Sequence, residues 1–438
     1  MGFAVQRTSR SFVPPSAPTP SGSLELSSID RVVGLRHQVR SLHVFAPRRE
    51  ELPGGGEHPP PRVVIREALG KVLVDYYPMA GRLVDGHEGP SSARVECTGE
   101  GAWFVEATAE CSLEDAGRLE HYPFVIPEDD LLPDAAPGVE PLDLPLMVQV
   151  TEFTCGGFVV GLMSSHTMTD GLGAGQFLNA VGDYARGLPK PRVTPIWARV
   201  LIPNPPKPLS RRPPNPPTTY QFQHLAVDLS DGSVNESKAR FLQSKGQRCS
   251  TFEVAVARTW QARTRSLRLA DPSARVTLCF PASARHLLRG DAWEAKGGGG
   301  AAGFYGNCLH TVAVEAESSA VEGADVVDLV AMVREAKARL PAEFARWAAG
   351  ELVDEDPYEL RFMYETLFVS DWRRMGFQEV DFGWGAPSQV IPLAYHPFMP
   401  IALIGAPPAP RTGVRIMTRC VEEEHMPAFR EEIKAFEM

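Results

Sequence analysis

Eleven prolines fall between Pro189 and Pro217, in the run LPKPRVTPIWARVLIPNPPKPLSRRPPNPP. Each proline locks its own φ and lacks an amide donor, so neither a helix nor an inner strand persists at that density. The run reads as an extended, semi-rigid crossing segment with no core of its own. Folding must therefore take place on either side of it. We expect a domain over residues 1–188, a linker over 189–218 and a second domain over 219–438, both domains within normal size.

Both halves mix helix and strand. Ile65, Leu69, Val72, Leu73 and Tyr76 recur at helical spacing, which predicts a helix over 64–76, ended by Pro78 and Gly81. ARVECTGEGAWFVEA reads as two short strands around Gly99–Gly101. LPLMVQVTEF and GFVVGLMSS read as a hairpin about Cys155-Gly156-Gly157. In the second half, a helix begins after Ser250 or Thr251 as N-cap, VTLCFPA is a strand, and VVDLVAMVREAKARL is a helix. The expected fold class is α/β of the mixed α+β kind, without regular βα alternation. Gly54–Gly56 and Gly297–Gly300 read as surface loops, and the second lacks the Lys-Ser/Thr of a phosphate-binding loop.

A formal charge of −10 argues against nucleic acid, whose binders need a basic face to displace counterions, and against a polybasic membrane anchor. The seven cysteines include no CxxC pair, so a zinc ribbon or a disulfide framework is a poor reading and a reducing, cytoplasmic setting fits. MGFAVQRTSR has no apolar core of a signal peptide, and KAFEM is no retention signal. From Phe382 to Pro410 no Asp, Glu, Lys or Arg occurs, but seven prolines in that stretch exclude a spanning helix. Buried strands and turns are expected instead.

Chemistry concentrates at SSHTMTDGLGAGQFLNAVGDYARGL. A β-rich run delivers His166, and Asp170 and Gly171 open a helix just after it. A loop at a strand end exposes a side chain while rigid elements fix it. An imidazole suits a general base at neutral pH. Spacing alone leaves open whether Asp170 faces His166 as in a triad. A metal site would need a third ligand, and no further His–carboxylate cluster stands out, so none is expected. The second signal is Asp381-Phe382-Gly383-Trp384-Gly385, which by itself reads as a packed turn with glycines for close backbone approach.

Together, HTMTDG and DFGWG resemble the BAHD acyltransferases of plants. LSSID (26–30), YPMAGRL (77–83), STFE (250–253) and GFYGN (303–307) fall in the family's order, so the resemblance spans nearly the whole chain. HxxxDG alone is shared with chloramphenicol acetyltransferase-like enzymes and condensation domains; DFGWG narrows the match. The resemblance implies two chloramphenicol-acetyltransferase-like domains, joined by the proline-rich crossover, with an active-site channel between them. It implies acyl transfer from coenzyme A to an alcohol or amine, with acyl-CoA as co-substrate and no resident cofactor. SSIDRVVGLRHQVRSLHVF, PEDDLLPDAAPGVEPLDLPLM and REAKARLPAEFARWA are similar to grass members that esterify monolignols, so the implied pair is p-coumaroyl-CoA with sinapyl, coniferyl or p-coumaryl alcohol.

Residue by residue, the resemblance makes His166 the catalytic base. Asp170 is structural and bound to an arginine; Gly171, Asp381, Gly383, Trp384 and Gly385 are structural too, with Arg285 the candidate partner of Asp381. Trp372 and Ser370 match the donors to the oxyanion, His37 lines the acceptor pocket, and Ser250 and Thr251 lie toward CoA. A monomer is expected. The acidic run at Glu351, Asp354, Glu355 and Asp356, with Arg361 beyond it, disfavours an anionic acceptor such as shikimate or quinate. Two alternatives stay open at this point: another acyl-CoA with another alcohol or amine, and a catalytically silent binding protein.

Overall fold

The structure is a computed structural model that describes residues 3–48, 59–87, 89–206, 218–289, 303–352, 356–360, 362–393 and 395–434. Both glycine runs, residues 207–217 of the proline-rich segment, and Asp354, Glu355 and Arg361 lie outside the described residues.

In chain order the first strands are β1 (Val5–Val13), β2 (Ser23–Glu25), β3 (Gln38–Phe45), β4 (Arg82–Gly86) and β5 (Gly89–Glu96). They are followed by β6 (Ala102–Ala109), β7 (Leu146–Phe153), β8 (Phe158–Ser165), β9 (His224–Leu229) and β10 (Arg275–Ser283). The last are β11 (Leu309–Glu317), β12 (Thr366–Asp371), β13 (Gln389–Pro392), β14 (Ile401–Gly405) and β15 (Val414–Arg419). The helices are α1 (Pro61–Asp75), α2 (Gly171–Ala185), α3 (Asp231–Lys245) and α4 (Thr251–Leu267), then α5 (Ser318–Gly323), α6 (Val326–Ala348) and α7 (Met426–Lys434). This is the mixed α/β class expected. Among the described residues, no helix is long and apolar enough to cross a membrane.

The chain forms two compact units, and each is discontinuous. The first comprises Met1–Pro203, Leu288–Cys308 and Arg373–Ala394; the second comprises Asn204–Leu287, Leu309–Trp372 and Tyr395–Met438. The first unit has a six-stranded sheet, β1-β6-β7-β8-β3-β13, and a three-stranded one, β2-β5-β4. β7 and β8 form the expected antiparallel hairpin, whereas β6 and β7 run parallel. The strands flanking Gly99–Gly101 form, but β5 and β6 enter different sheets, so this turn is a crossover between sheets. Helix α1 and its C-cap Tyr76 bury the five side chains the periodicity selects, each at most 2% exposed. The second unit holds the sheet β11-β10-β12-β14-β15-β9, with α4 packed at its core around Trp260.

Two expectations about organisation are corrected. The linker expected over 189–218 is in part a structural piece of the first unit. The Ile196 N–H donates to the Gly303 carbonyl (2.6 Å), the Tyr305 N–H returns to the Ile196 carbonyl (3.1 Å), and Trp197 packs its ring 5.0 Å from that of Tyr305. Prolines bar a long helix and an inner strand, but they do not bar burial of Arg199 and Ile202 or the packing of Trp197 on Tyr305 between Pro195 and Pro203. The DFGWG segment, expected in the C-terminal domain, also belongs to the first unit. β13 pairs antiparallel with β3, from Gln389 opposite Val44 to Pro392 opposite Ser41. It is an edge strand, where a missing proline N–H is tolerated.

Candidate active site

His166 stands one residue beyond β8, half-buried, with its backbone N–H donating to the His37 carbonyl (2.9 Å). The following residues Thr167 to Asp170 are buried, and Asp170 caps α2 by accepting from the Gly173 N–H (3.2 Å). Its other oxygen accepts from the Cys308 N–H (3.1 Å). Asp170 therefore ties strand, helix and the 303–308 segment into one corner.

The imidazole is oriented by a residue that sequence reasoning quoted only as part of GFYGN. Nδ1 of His166 lies 3.2 Å from Asn307 Oδ1. The Asn307 amide group donates to Asp30 Oδ1 (2.9 Å) and to the His166 carbonyl (2.8 Å), both of which only accept. The amide nitrogen must therefore face those oxygens, and the amide oxygen must face the ring. Nδ1 then carries the proton, and Nε2 presents a lone pair. Among the described residues Nε2 makes no hydrogen bond.

Burial pushes the His166 pKa below the ordinary value, outweighing the opposite pull of a hydrogen bond to its own backbone and of Asp170, Asn307 and Asp30. The ring is thus neutral at physiological pH, the form a general base requires. His37 lies beside it with ring centroids 5.2 Å apart, its Nδ1 donating to the Gly34 carbonyl (2.9 Å).

Behind Asn307 stands a buried ion pair. Asp30 Oδ1 also accepts from the Asn307 backbone N–H (2.9 Å), and Oδ2 accepts from the Ser27 N–H (3.0 Å) and Arg199 Nε (2.8 Å). Arg199 spends its remaining nitrogens on the carbonyls of Tyr305 (3.0 Å) and Met168 (2.6 Å). Asp30 is 1% and Arg199 4% exposed, so burial of this pair rests on complete hydrogen bonding. A lone arginine between prolines is a weak sequence signal. An Asp at the end of LSSID was visible as a motif without a partner.

The DFGWG loop sits elsewhere in the first unit and does not touch the imidazole. Asp381 Oδ1 accepts from the N–H groups of Gly383 (2.7 Å) and Gly385 (2.8 Å), both glycines at positive φ. Phe382 packs 5.2 Å from Phe45 of β3, and Trp384 meets Phe158 of β8 edge-on at 5.3 Å. The cation beside Asp381 is Arg186, at 3.2 Å, and not the expected Arg285. Arg186 follows α2 directly, and α2 is what the 375–381 segment lies on. Burial opposes ionisation of Asp381, yet the two glycine N–H groups and Arg186 hold its pKa below the usual carboxylate range.

The contact with α2 explains the glycines after the histidine motif. Gly171, Gly175 and Gly182 share one helix face. A Cβ on Gly175 would collide with the Met375 carbonyl, one on Gly171 with the Met375 side chain, and one on Gly182 would stand 2.6 Å from the Asp381 carbonyl. Asn179 on this face donates to the Gly376 carbonyl (2.7 Å).

The other expected site residues lie in the second unit. Ser370 is on β12 and Trp372 follows it, 7% exposed, with its backbone N–H donating to the Ile404 carbonyl (2.8 Å). Ser250 caps α4: its hydroxyl accepts from the Glu253 N–H (3.2 Å), and its N–H donates to the Glu253 carboxylate (2.7 Å), with Thr251 next as the first helical residue. Lys337 and Arg334 approach the same carboxylate at 2.8 and 3.4 Å. Arg285 is buried in the turn after β10.

Comparison with known proteins places the chain in a family. The model of the Transferase family matches residues 3–436. The rice protein "Acyl transferase 4" is 65% identical over 100% of both chains. A caffeoyltransferase of Crocosmia x crocosmiiflora that acts on a myricetin 3-O-glucosyl 1,2-rhamnoside is 38% identical over 100% of both chains. Among solved structures, vinorine synthase superposes with a TM-score of 0.77 at 21% identity, covering 99% of this chain and 98% of its own. With HTMTDG and DFGWG built into one unit and the family matched from end to end, the chain belongs to the Transferase family of BAHD acyltransferases.

Proposed function

We propose that the protein transfers a p-coumaroyl group from p-coumaroyl-CoA to the primary hydroxyl of a monolignol: sinapyl, coniferyl or p-coumaryl alcohol. The observation that carries the chemistry is the His166 ring held at Nδ1 by Asn307 Oδ1 while Nε2 is left to accept, in a setting whose burial lowers its pKa. Nε2 takes the hydroxyl proton as the oxygen attacks the thioester carbonyl. The imidazolium then gives that proton to the departing CoA sulfur as the tetrahedral intermediate collapses to ester and thiol. No acyl-enzyme forms.

In this reading Trp372 donates its indole N–H and Ser370 its hydroxyl to the oxyanion. Two residues apart at the end of β12, they are suited to act as a pair. The N-terminus of α4, at Ser250 and Thr251, attracts the phosphates of CoA, with Arg334 and Lys337 adding positive charge nearby. Ser250 acts there mainly through the helix end, because its hydroxyl is spent on the cap. His37 contributes to the acceptor side. The hydroxycinnamoyl donor agrees with a relative whose name records caffeoyl transfer. We further assign the enzyme to the cytoplasm, as a monomer with no resident cofactor.

The test is a competition assay with p-coumaroyl-, caffeoyl-, benzoyl- and acetyl-CoA against the three monolignols, shikimate and quinate, following thiol release and ester product. The expected result is kcat/KM for p-coumaroyl-CoA with a monolignol at least about tenfold above every other pair, within the reach of pocket discrimination. Equal rates with shikimate, or preference for another acyl group, would move the protein to a different substrate class of the same family.

A further inference from the structure

The Asn307 amide selects the useful tautomer of His166 only while its own orientation is fixed. An amide flipped by half a turn would present N–H to Nδ1, and the ring would then protonate at Nε2 and lose its acceptor. What forbids the flip is the set of acceptors facing the amide nitrogen: Asp30 Oδ1, the His166 carbonyl and, at a longer 3.4 Å, the Thr167 carbonyl. Both carbonyls belong to the turn being oriented, and that of Thr167 is at the long limit of a hydrogen bond, so the strong constraint from outside that turn is Asp30. Asp30 is fixed in turn: Oδ1 also receives the Asn307 backbone N–H, and Oδ2 is held by Ser27 and Arg199. Arg199 comes from the proline-rich segment and grips the carbonyls of Tyr305 and Met168, on the two strands of chain that flank Asn307 and His166.

We infer that Asp30, anchored by Arg199, is a positioning residue that locks the Asn307 amide and thereby sets the protonated nitrogen of His166. The inference rests on His166 being the base. Asp30 does not touch the reacting atoms. Its carboxylate acts through one amide, and the proline-rich segment thus reaches to within three side chains of the imidazole. The arrangement resembles in logic a carboxylate that holds a catalytic imidazole in one tautomer, with an amide inserted between them.

The tautomer can be read directly. Protein labelled with ¹⁵N-histidine, with His166 assigned by its absence in His166→Gln, should show at pH 8 a protonated Nδ1 and a bare Nε2. The variants are Asp30→Ala and, to avoid stranding the Arg199 cation, Asp30→Ala with Arg199→Met. In whichever folds, judged by circular dichroism and a cooperative melt, the Nε2–H form should appear. kcat should fall at least about tenfold while KM for the thioester changes less than about twofold, the signature of a loss confined to the chemical step. A bare Nδ1 in the wild-type protein would overturn the inference without any variant. So would a folded variant with the wild-type tautomer and kcat. Failure of the underlying reading is distinguishable: if His166→Ala turns over normally, the base assignment falls whatever the tautomer, whereas an inactive His166→Ala with a bare Nδ1 in the wild type removes only the role of Asp30.

Discussion

The turn that carries His166 and the loop that starts at Asp381 lie in the same unit, and each is organised around one polar side chain. At Asp381, both carboxylate oxygens are used: one receives two glycine N–H groups, the other Arg186. At His166, one ring nitrogen is tied to Asn307 and the other is bound to nothing among the described residues. A fully satisfied group holds chain segments together and has no valence left for chemistry. A group satisfied on one side only is oriented and still reactive. The two motifs that identify the family therefore do different work: one is a clasp, and the other holds on a rigid mount the imidazole that we propose as the base.

The largest effect that would sharpen this contrast is on turnover. His166→Ala should lower kcat roughly 10²–10⁴-fold, the usual contribution of a general base, while the melting temperature stays close to that of the wild type. Retention of a tenth of the activity would place the reacting proton elsewhere. Next is the contact that couples the two regions. Gly175→Ala puts a methyl group against the Met375 carbonyl, which is backbone and cannot yield cheaply. Overpacking of this kind costs about 1–3 kcal/mol, visible as a lower urea midpoint with unchanged slope. A neutral outcome would mean that the 375–381 segment does not lie on α2.

The smallest effect belongs to the clasp. Asp381→Asn keeps the oxygen that accepts from Gly383 and Gly385 and removes the charge opposite Arg186, at about 0.5–1.5 kcal/mol, with kcat at saturating substrate unchanged. Because the folded pKa of Asp381 is lowered, its contribution is present above the ordinary carboxylate value near ~3.9 and is lost as pH falls through the folded value. The wild type and the variant should therefore differ in stability at pH 6 and converge in strong acid. A constant difference across that range would deny Asp381 its ionised role.

Much of this contrast was legible in the residues. Helix α1, the β7–β8 hairpin and the Ser250 cap follow from periodicity and local hydrogen-bonding chemistry, which are short-range. His166 was legible because it ends a β-rich run and precedes a helix-opening Asp-Gly. His43 is as visible in sequence, yet it is buried on β3, and desolvation lowers its pKa to about 4, so it cannot serve as a base with a reachable proton. What the residues did not disclose is long-range. Asn307 lies 141 positions from His166, and Asp30 lies 169 from Arg199. No periodicity connects such positions. The proline count correctly excluded an α-helix or a long strand from 189–206, where one 3-10 turn forms at Arg199–Leu201, but it could not tell a linker from a segment packed against Tyr305 and Asp30. The membership of DFGWG in the first unit depends on β13 adding to an edge of β3, a pairing that proximity in sequence argues against.

The central claim is that a neutral imidazole, oriented through Nδ1, accepts the substrate proton. The pH dependence of kcat/KM for acyl transfer tests it most directly, because that profile reports the free enzyme's essential base. Burial lowers the His166 pKa, so the neutral form persists below the ordinary histidine value near ~6.5. The expected profile is flat from neutral pH upward and falls in acid by one proton, with its midpoint below ~6.5, in wild type and Asp381→Asn alike. A midpoint at or above the ordinary value, or an acid limb that shifts when Asp381 is changed, would contradict the account.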